Sequence, residues 1–277
     1  VSLGITLVSL PTSFVELAGG PLAYVDVPPS EGASPVGTAV LVPGYTGSKE
    51  DFGLLAAPLT AAGFRFVAVD LRGQHESPGP DDPAAYTVPA LGAEVLEFLR
   101  ALGAGPVHLV GHSFGGLVCR DAVVRDPAAV RTFTLLDSGP AGLSGPRVER
   151  MRLVAPVLDT YGPEALFDAI LAGGPRPGPE LEAFLRKRFL ASSVAGLRAM
   201  GTAVTDEPDR VDELRAAETP LLVACGEYDD AWTPETQRAM AERLGAPYVV
   251  IPGAIHSPAA EAPEATARVL LDFWRGR

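Results

Sequence analysis

The chain has 277 residues, 47% of them hydrophobic and 20% charged, which is material for a large globular core rather than a disordered or fibrous chain. Its formal net charge of −12 argues against a nucleic-acid partner or an anionic membrane surface, since either needs a basic face. Two cysteines, Cys119 and Cys225, give no disulfide framework and read as small buried hydrophobes.

In chain order, residues 1–11 are mildly apolar but lack a basic leader and a clear cleavage site, so a cytoplasmic location is expected. No run is long and apolar enough to predict a membrane span. Residues 14–17 and 22–27 predict an opening hairpin broken at Gly19-Gly20-Pro21, and 38–42 a buried strand. A glycine-containing loop and a helix over 49–62 follow, then a strand over 64–71, a long polar loop and a helix over 88–102. Residues 107–110 are a strand entered from Gly105-Pro106, and 116–124 a helix ending at Asp126-Pro127. A strand over 130–136 comes next. Further on, strands at 220–224 and 247–251 flank a helix over 234–244, and a helix over 262–274 closes the chain. Strands alternating with helices predict a parallel sheet covered on both faces, with ligands bound beyond the carboxyl ends of the strands.

Residues 140–215 interrupt this alternation with helical patterns, including 164–172 and 180–191, punctuated by Gly173-Gly174-Pro175-Arg176-Pro177-Gly178-Pro179. An insertion of this length is too long for an ordinary connection and is expected to sit over the strand ends as a helical cap. Its core is then 1–139 and 216–277. Phe167, Phe184, Leu185 and Phe189 are candidates to line a pocket there, or to pack the cap on the core.

Gly111-His112-Ser113-Phe114-Gly115 lies between a strand and a helix, the setting of a tight turn that exposes a serine hydroxyl. Such a turn holds Ser113 at a strained backbone angle, with Gly111 and Gly115 removing side chains that would collide across it. A serine needs a base, and elimination among four histidines is informative. His108 is within the strand, His112 should point away from the hydroxyl by alternation, and His75 is in the loop after Asp70. His256 is in the loop between the last strand and last helix, on the edge where Ser113 is exposed, and is the candidate base. The base needs a carboxylate, and Asp229 or Asp230 can project from the strand before them. Asp229 is preferred, with Asp230 the main competitor and Asp137, at the end of an earlier strand, an outside alternative. For an oxyanion, the Phe114 N–H is one donor, and Tyr45 N–H in Pro43-Gly44-Tyr45-Thr46-Gly47 is the second.

Through Pro43-Gly44-Tyr45, Asp70-Leu71-Arg72-Gly73, the turn at Ser113, Gly226-Glu227-Tyr228-Asp229 and Gly253-Ala254-Ile255-His256, the chain resembles the α/β-hydrolase superfamily, of the capped serine esterase and lipase-like kind. The resemblance implies an α/β-hydrolase fold, a mostly parallel sheet with helices on both faces and a helical cap insertion. It implies Ser113 as nucleophile, Asp229 as acid, His256 as base, and Tyr45 with Phe114 as oxyanion donors. The family often has His-Gly where this chain has Pro43-Gly44, and a glycine where it has His75. Relatives that cleave haloalkanes or epoxides use an aspartate nucleophile, and iminopeptidase-like chains carry a Gly-Gly-Pro-Gly loop absent here.

The expected activity is hydrolysis of small to medium, largely apolar carboxylic esters through an acyl-enzyme, with a small-molecule ester as partner. No metal cluster or phosphate loop appears, so no cofactor is implied. Alternatives on the same residues are thioester, lactone or amide hydrolysis, acyl or peracid transfer, C–C hydrolysis, or a non-catalytic small-molecule-binding module.

Overall fold

A computed structural model describes residues 8–143, 146–173, 176–275 and 277. The apolar start at 1–7, and Gly174 and Pro175 of the punctuating run, lie outside the described residues.

The eight strands are β1 (Thr12–Leu17), β2 (Gly20–Val27), β3 (Gly37–Val42), β4 (Phe64–Val69), β5 (Val107–His112), β6 (Val130–Leu136), β7 (Leu221–Gly226) and β8 (Tyr248–Ile251). They form one sheet in the order β1-β2-β4-β3-β5-β6-β7-β8. Pairing is antiparallel at β1/β2 and β2/β4 and parallel from β4 through to β8. Strands β5 and β7 are fully buried and β3, β4 and β6 nearly so, because both faces are covered, and their apolar side chains sort by alternation. Val40 and Val42 enter one core, whereas Ala39 and Leu41 enter the other; Val67 and Val69 divide from Phe66 and Ala68 in the same way.

Around the sheet run α1 (Ala56–Ala61), α2 (Val88–Leu102), α3 (Phe114–Arg125), α4 (Pro146–Arg152), α5 (Val154–Ala172), α6 (Pro179–Ala191), α7 (Val194–Asp206), α8 (Val211–Ala216), α9 (Pro234–Leu244), α10 (Pro258–Glu261) and α11 (Pro263–Trp274). One core holds Leu91, Val95, Leu117, Val118 and Met240 of α2, α3 and α9; the other holds Leu59 of α1 with Leu270 and Trp274 of α11. Thr87 caps α2 through its side chain, and Gly103 ends it in the left-handed conformation. The helix expected over 49–62 is two pieces, a 3₁₀ stretch Lys49–Leu55 and then α1. Gly53 and Pro58 explain the break, since glycine weakens a helix and proline supplies no N–H to it.

Helices α4 to α8 fill the connection from β6 to β7. Helix α5 is interrupted at Gly162 (φ 81°), just before Pro163, so its second half begins where the 164–172 pattern does. Val154, Leu158, Leu166, Phe167, Phe189 and Leu197 make a small core of their own between α5, α6 and α7. Helix α8 instead contributes Val211 and Leu214 to the main core and packs on α3 and α9. Among the described residues no helix is long and apolar enough to cross a membrane.

The register brings the ends of β3, β5, β6 and β7 to one edge: Val42 pairs Gly111, His112 pairs Leu136, and Leu136 pairs Ala224. Gly226 pairs Ile251, so the loop after β8 emerges there as well. The chemistry-bearing loops therefore share that edge.

Candidate active site

Ser113 joins β5 to α3 at φ 53° and ψ −121°, a left-handed φ that a non-glycine residue adopts only under constraint. The constraint is visible on both sides of the turn. Ser113 N–H donates to the Leu136 carbonyl at 2.9 Å, and the Ser138 hydroxyl donates to the Ser113 carbonyl at 2.8 Å. A Cβ at Gly111 would meet the Gly115 carbonyl oxygen at 2.6 Å, and one at Gly115 the Pro43 carbonyl oxygen at 2.4 Å. Only glycine fits at either position.

Ser113 Oγ lies 3.0 Å from His256 Nε2, and His256 Nδ1 lies 2.8 Å from Asp229 Oδ1. With Nδ1–H donating to the carboxylate, Nε2 is left to accept the serine proton. Asp229 is buried and accepts twice more, from Ala231 N–H at 2.8 Å and from Gln237 Nε2 at 2.7 Å. Asp230 points elsewhere: it is exposed and pairs with Arg147 at 2.7 Å. Of the two neighbouring aspartates, only Asp229 meets the histidine.

Phe114 is the first residue of α3, so its N–H is one of the groups that a helix start leaves without an internal partner. The backbone of Gly44 runs against Ser113, where an added Cβ would stand 2.9 Å from the serine Cβ. The Gly44 carbonyl accepts from Gly47 N–H at 3.0 Å and from Gln74 Nε2 at 2.9 Å. Those bonds fix the plane of the peptide whose other end is the Tyr45 N–H. The Tyr45 hydroxyl donates to the Leu197 carbonyl on α7 at 2.9 Å, and burial pushes its phenol up.

The other three histidines have separate roles in the fold. His108 is buried against Phe64 and Trp274, with Nδ1 2.9 Å from Thr132 Oγ1. His75 adopts φ 45°, a left-handed conformation that glycine takes more readily, and burial lowers its pKa. His112 does more than point away from the serine. Its Nε2 donates to the His256 backbone carbonyl at 2.6 Å, and burial followed by the proximity of His256 lowers its pKa to about 4. Glu261 holds the same loop by accepting Ile255 N–H at 2.6 Å and Ser257 N–H at 3.2 Å.

Four of these supporting residues are not singled out by sequence reasoning. Gln237 is the most legible of them, a polar side chain on the buried stripe of α9 beside Met240, Ala241 and Leu244. Gln74, His112 and Glu261 carry no such local signal.

The loop after β4 is stiffened by charge. Lys49 is buried, with Nζ 2.9 Å from Glu50, 3.0 Å from Asp70 and 2.5 Å from Glu76. Arg72 binds Glu94 and the carbonyls of Gly20, Pro21 and Pro78, tying the loop to the opening hairpin.

A cavity of about 790 Å³ opens over Ser113 and His256, walled by Met151, Val154, Val157, Leu166, Ile170, Leu181 and Leu185 from the insertion. Arg147, Arg150 and Arg188 also border it, with Asp51 and Asp230 as counter-charges. Of the four apolar candidates to line a pocket or to pack the insertion, Leu185 lines the cavity and the three phenylalanines pack. Phe167 and Phe189 pack on each other with centroids 5.6 Å apart, and Phe184 packs edge-on to His75. They tie the insertion together and onto the core.

The sequence profile of the alpha/beta hydrolase family matches residues 39–269. Lipase 1 of Psychrobacter immobilis is 25% identical over 238 residues, which cover 82% of this chain and 74% of that protein. A fluoroacetate dehalogenase of Burkholderia sp is 28% identical over 253 residues, 78% of this chain and 80% of that one. A solved structure of a hydrolase from Pseudomonas aeruginosa PA01 is similar with a TM-score of 0.80 at 27% identity, covering 96% of this chain and 98% of that chain. The profile match runs from β3 into α11, and with the sheet order around Ser113 it means that the chain belongs to the alpha/beta hydrolase family, whose chemistry is hydrolytic in general.

Proposed function

We propose that the protein is a serine hydrolase of carboxylic esters, with Ser113 as nucleophile, His256 as base, Asp229 as acid, and the N–H groups of Tyr45 and Phe114 as oxyanion donors. The observation that carries this reading is the hydrogen-bonded line from Ser113 Oγ through His256 to Asp229, at 3.0 and 2.8 Å. In the first step His256 Nε2 takes the serine proton while Oγ bonds to the ester carbonyl carbon. The carbonyl oxygen becomes negative and is met by the two backbone donors, which are already oriented. The imidazolium then protonates the leaving alkoxide as the carbon–oxygen bond breaks, leaving an acyl-serine. A water gives its proton to His256 and attacks the acyl carbon, and proton return to Ser113 frees the acid.

Serine at this turn favours ester cleavage over dehalogenation, because attack on a carbon–halogen bond in this fold is the work of an aspartate nucleophile. The aliphatic wall supports small to medium, largely apolar acyl or alcohol groups, since it offers burial without hydrogen bonds. Residues 140–215 serve as the cap in this reading, with α4 to α7 over the cavity and α8 as its anchor on the core.

The test is Ser113→Ala, assayed with a short p-nitrophenyl ester and a fluorophosphonate probe. Turnover should fall by roughly 10⁴-fold or more, and covalent labelling should vanish. Labelling of another serine in that variant would overturn the assignment. Comparing acyl chain lengths, thioesters and lactones on the wild type then defines the substrate.

A further inference from the structure

Asp137 is a buried carboxyl that the proposed mechanism leaves unused. It follows β6, one strand away from Asp229, at φ 47°, and is fully buried. Its Oδ1 accepts the Gly226 N–H at 2.7 Å, while Oδ2 has no donor among the described residues. The charged groups bearing on it are Asp229 and Glu261, both acids, and Cys225 is the titratable neighbour on β7. His112 and His256 also face it, the ring nitrogens and the Asp137 carboxyl oxygen lying within 4.8 Å of one another.

An ionised carboxylate in that setting would be buried beside a second carboxylate with one oxygen unsolvated, an expensive arrangement. A carboxylic acid removes the expense. Asp229, the neighbouring carboxylate, has room to accept, because a carboxylate has about four acceptor sites and, among the described residues, His256, Ala231 and Gln237 use three.

We infer that Asp137 is a neutral carboxylic acid whose O–H donates to the Asp229 carboxylate, making it a positioning residue that acts on His256 through Asp229. Burial first, and the Asp229 charge second, push the Asp137 carboxyl well above the usual range, in keeping with this assignment. The inference rests on the reading of Asp229 as the acid. Its consequence is electrostatic. The extra hydrogen bond draws negative charge off Asp229 and restrains how strongly that group favours the imidazolium form of His256.

Two variants and one spectrum test it. Glycine and asparagine both accept the left-handed backbone of position 137, so neither Asp137→Gly nor Asp137→Asn adds strain there. Asp137→Gly removes the donor, and kcat/KM for a p-nitrophenyl ester should drop about tenfold or more, chiefly in kcat. With charge returned to Asp229, the acidic limb of its pH profile should move up by roughly half a pH unit. Asp137→Asn restores a neutral donor, so it should recover most of the lost rate and return the limb to its wild-type position. If Asp137 is instead ionised and acts directly on His256, Asp137→Asn removes a negative charge. The limb then moves down and no rescue is seen, which overturns the inference.

The infrared difference spectrum of wild type minus Asp137→Asn at neutral pH gives an answer that needs no turnover. A protonated-carboxyl carbonyl stretch is expected, and a carboxylate band in its place would refute the proposal even if the glycine variant failed to fold. Failure of the hydrolase reading looks different, since wild-type Ser113 would then not label with fluorophosphonate.

Discussion

The Nε2 atom of His112 lies 2.6 Å from the backbone carbonyl oxygen of His256, so the residue before the serine in sequence grips the residue opposite it in space. A carbonyl only accepts, which fixes the proton of His112 on Nε2. Burial, with His256 second, lowers the His112 pKa to about 4, which favours the neutral ring that this hydrogen bond needs. His112→Phe keeps an aromatic ring and loses the donor. It should lower kcat/KM roughly tenfold with KM little changed, as the His256 loop loosens. Steady-state kinetics on a short ester check this, and an unchanged kcat/KM would mean that the loop's other bonds, to Glu261 and Glu227 among them, hold it without His112.

Asp229 and Asp230 should separate cleanly. Asp229→Asn disturbs the tautomer of His256 and should cost about 10³- to 10⁴-fold in kcat. Asp230→Asn breaks an exposed pair with Arg147 and should stay within about threefold of wild type. Unfolding followed by circular dichroism for each variant distinguishes lost chemistry from lost fold, since Asp229 also receives Ala231 and Gln237.

The cavity wall and the aromatic packing residues should respond differently. Leu185→Ala and Ile170→Ala enlarge the cavity and should shift the preferred acyl length upward with the chemical step largely intact. Phe189→Ala removes a buried ring from the insertion's own core and should cost about 3 kcal/mol of stability without a matching shift in preference. A chain-length panel and thermal melts on the same four proteins, wild type included, decide the point.

Stability should also depend on pH through His108. Burial first, and Arg131 second, lower its pKa to about 4, against about 6.5 in an unfolded chain. The unfolded state therefore binds more protons between those values. The His108 contribution is fully present above about pH 6.5 and is lost as pH falls toward 4, on the order of 1–3 kcal/mol in total. His108→Asn, which retains a polar atom for Thr132, should flatten that part of the curve. Denaturant melts from pH 7 to about 4 measure it, and equal slopes in the two proteins would remove His108 as the cause.

Much of the layout is legible in the amino-acid sequence because its signals are local. The helices over 88–102 and 234–244 carry their caps and apolar stripes in the sequence. Ser113 is marked by the strand preceding it and the helix following it, and His256 by elimination among four histidines. What the sequence hides is contact between separate elements. Alternation assigns His112 to the face away from the serine hydroxyl, but the loop after β8 folds back to meet its ring. Helical periodicity marks Phe167 and Phe189 as buried without saying whether a cavity or another helix covers them. Asp137 reads as a strand-end residue and an outside choice of acid, and only the adjacency of β6 and β7 brings it beside Asp229.

Tyr45 is held on two sides: it follows Gly44, whose backbone runs against Ser113, and its hydroxyl is tied to the Leu197 carbonyl of α7. If the proposed function holds, this residue would link the position of α7 to the oxyanion donor. An ester that seats α7 well would tighten the oxyanion donor as it binds, so good fit would be expressed as faster acylation more than as stronger ground-state affinity. Tyr45→Phe keeps the N–H and cuts the tie. It should narrow the spread in kcat among substrates of different size while leaving their ranking by KM intact, and an unaltered kcat spread would show that α7 and oxyanion donor move independently. Under the proposed function, the tie would make α7 part of how the site senses substrate size.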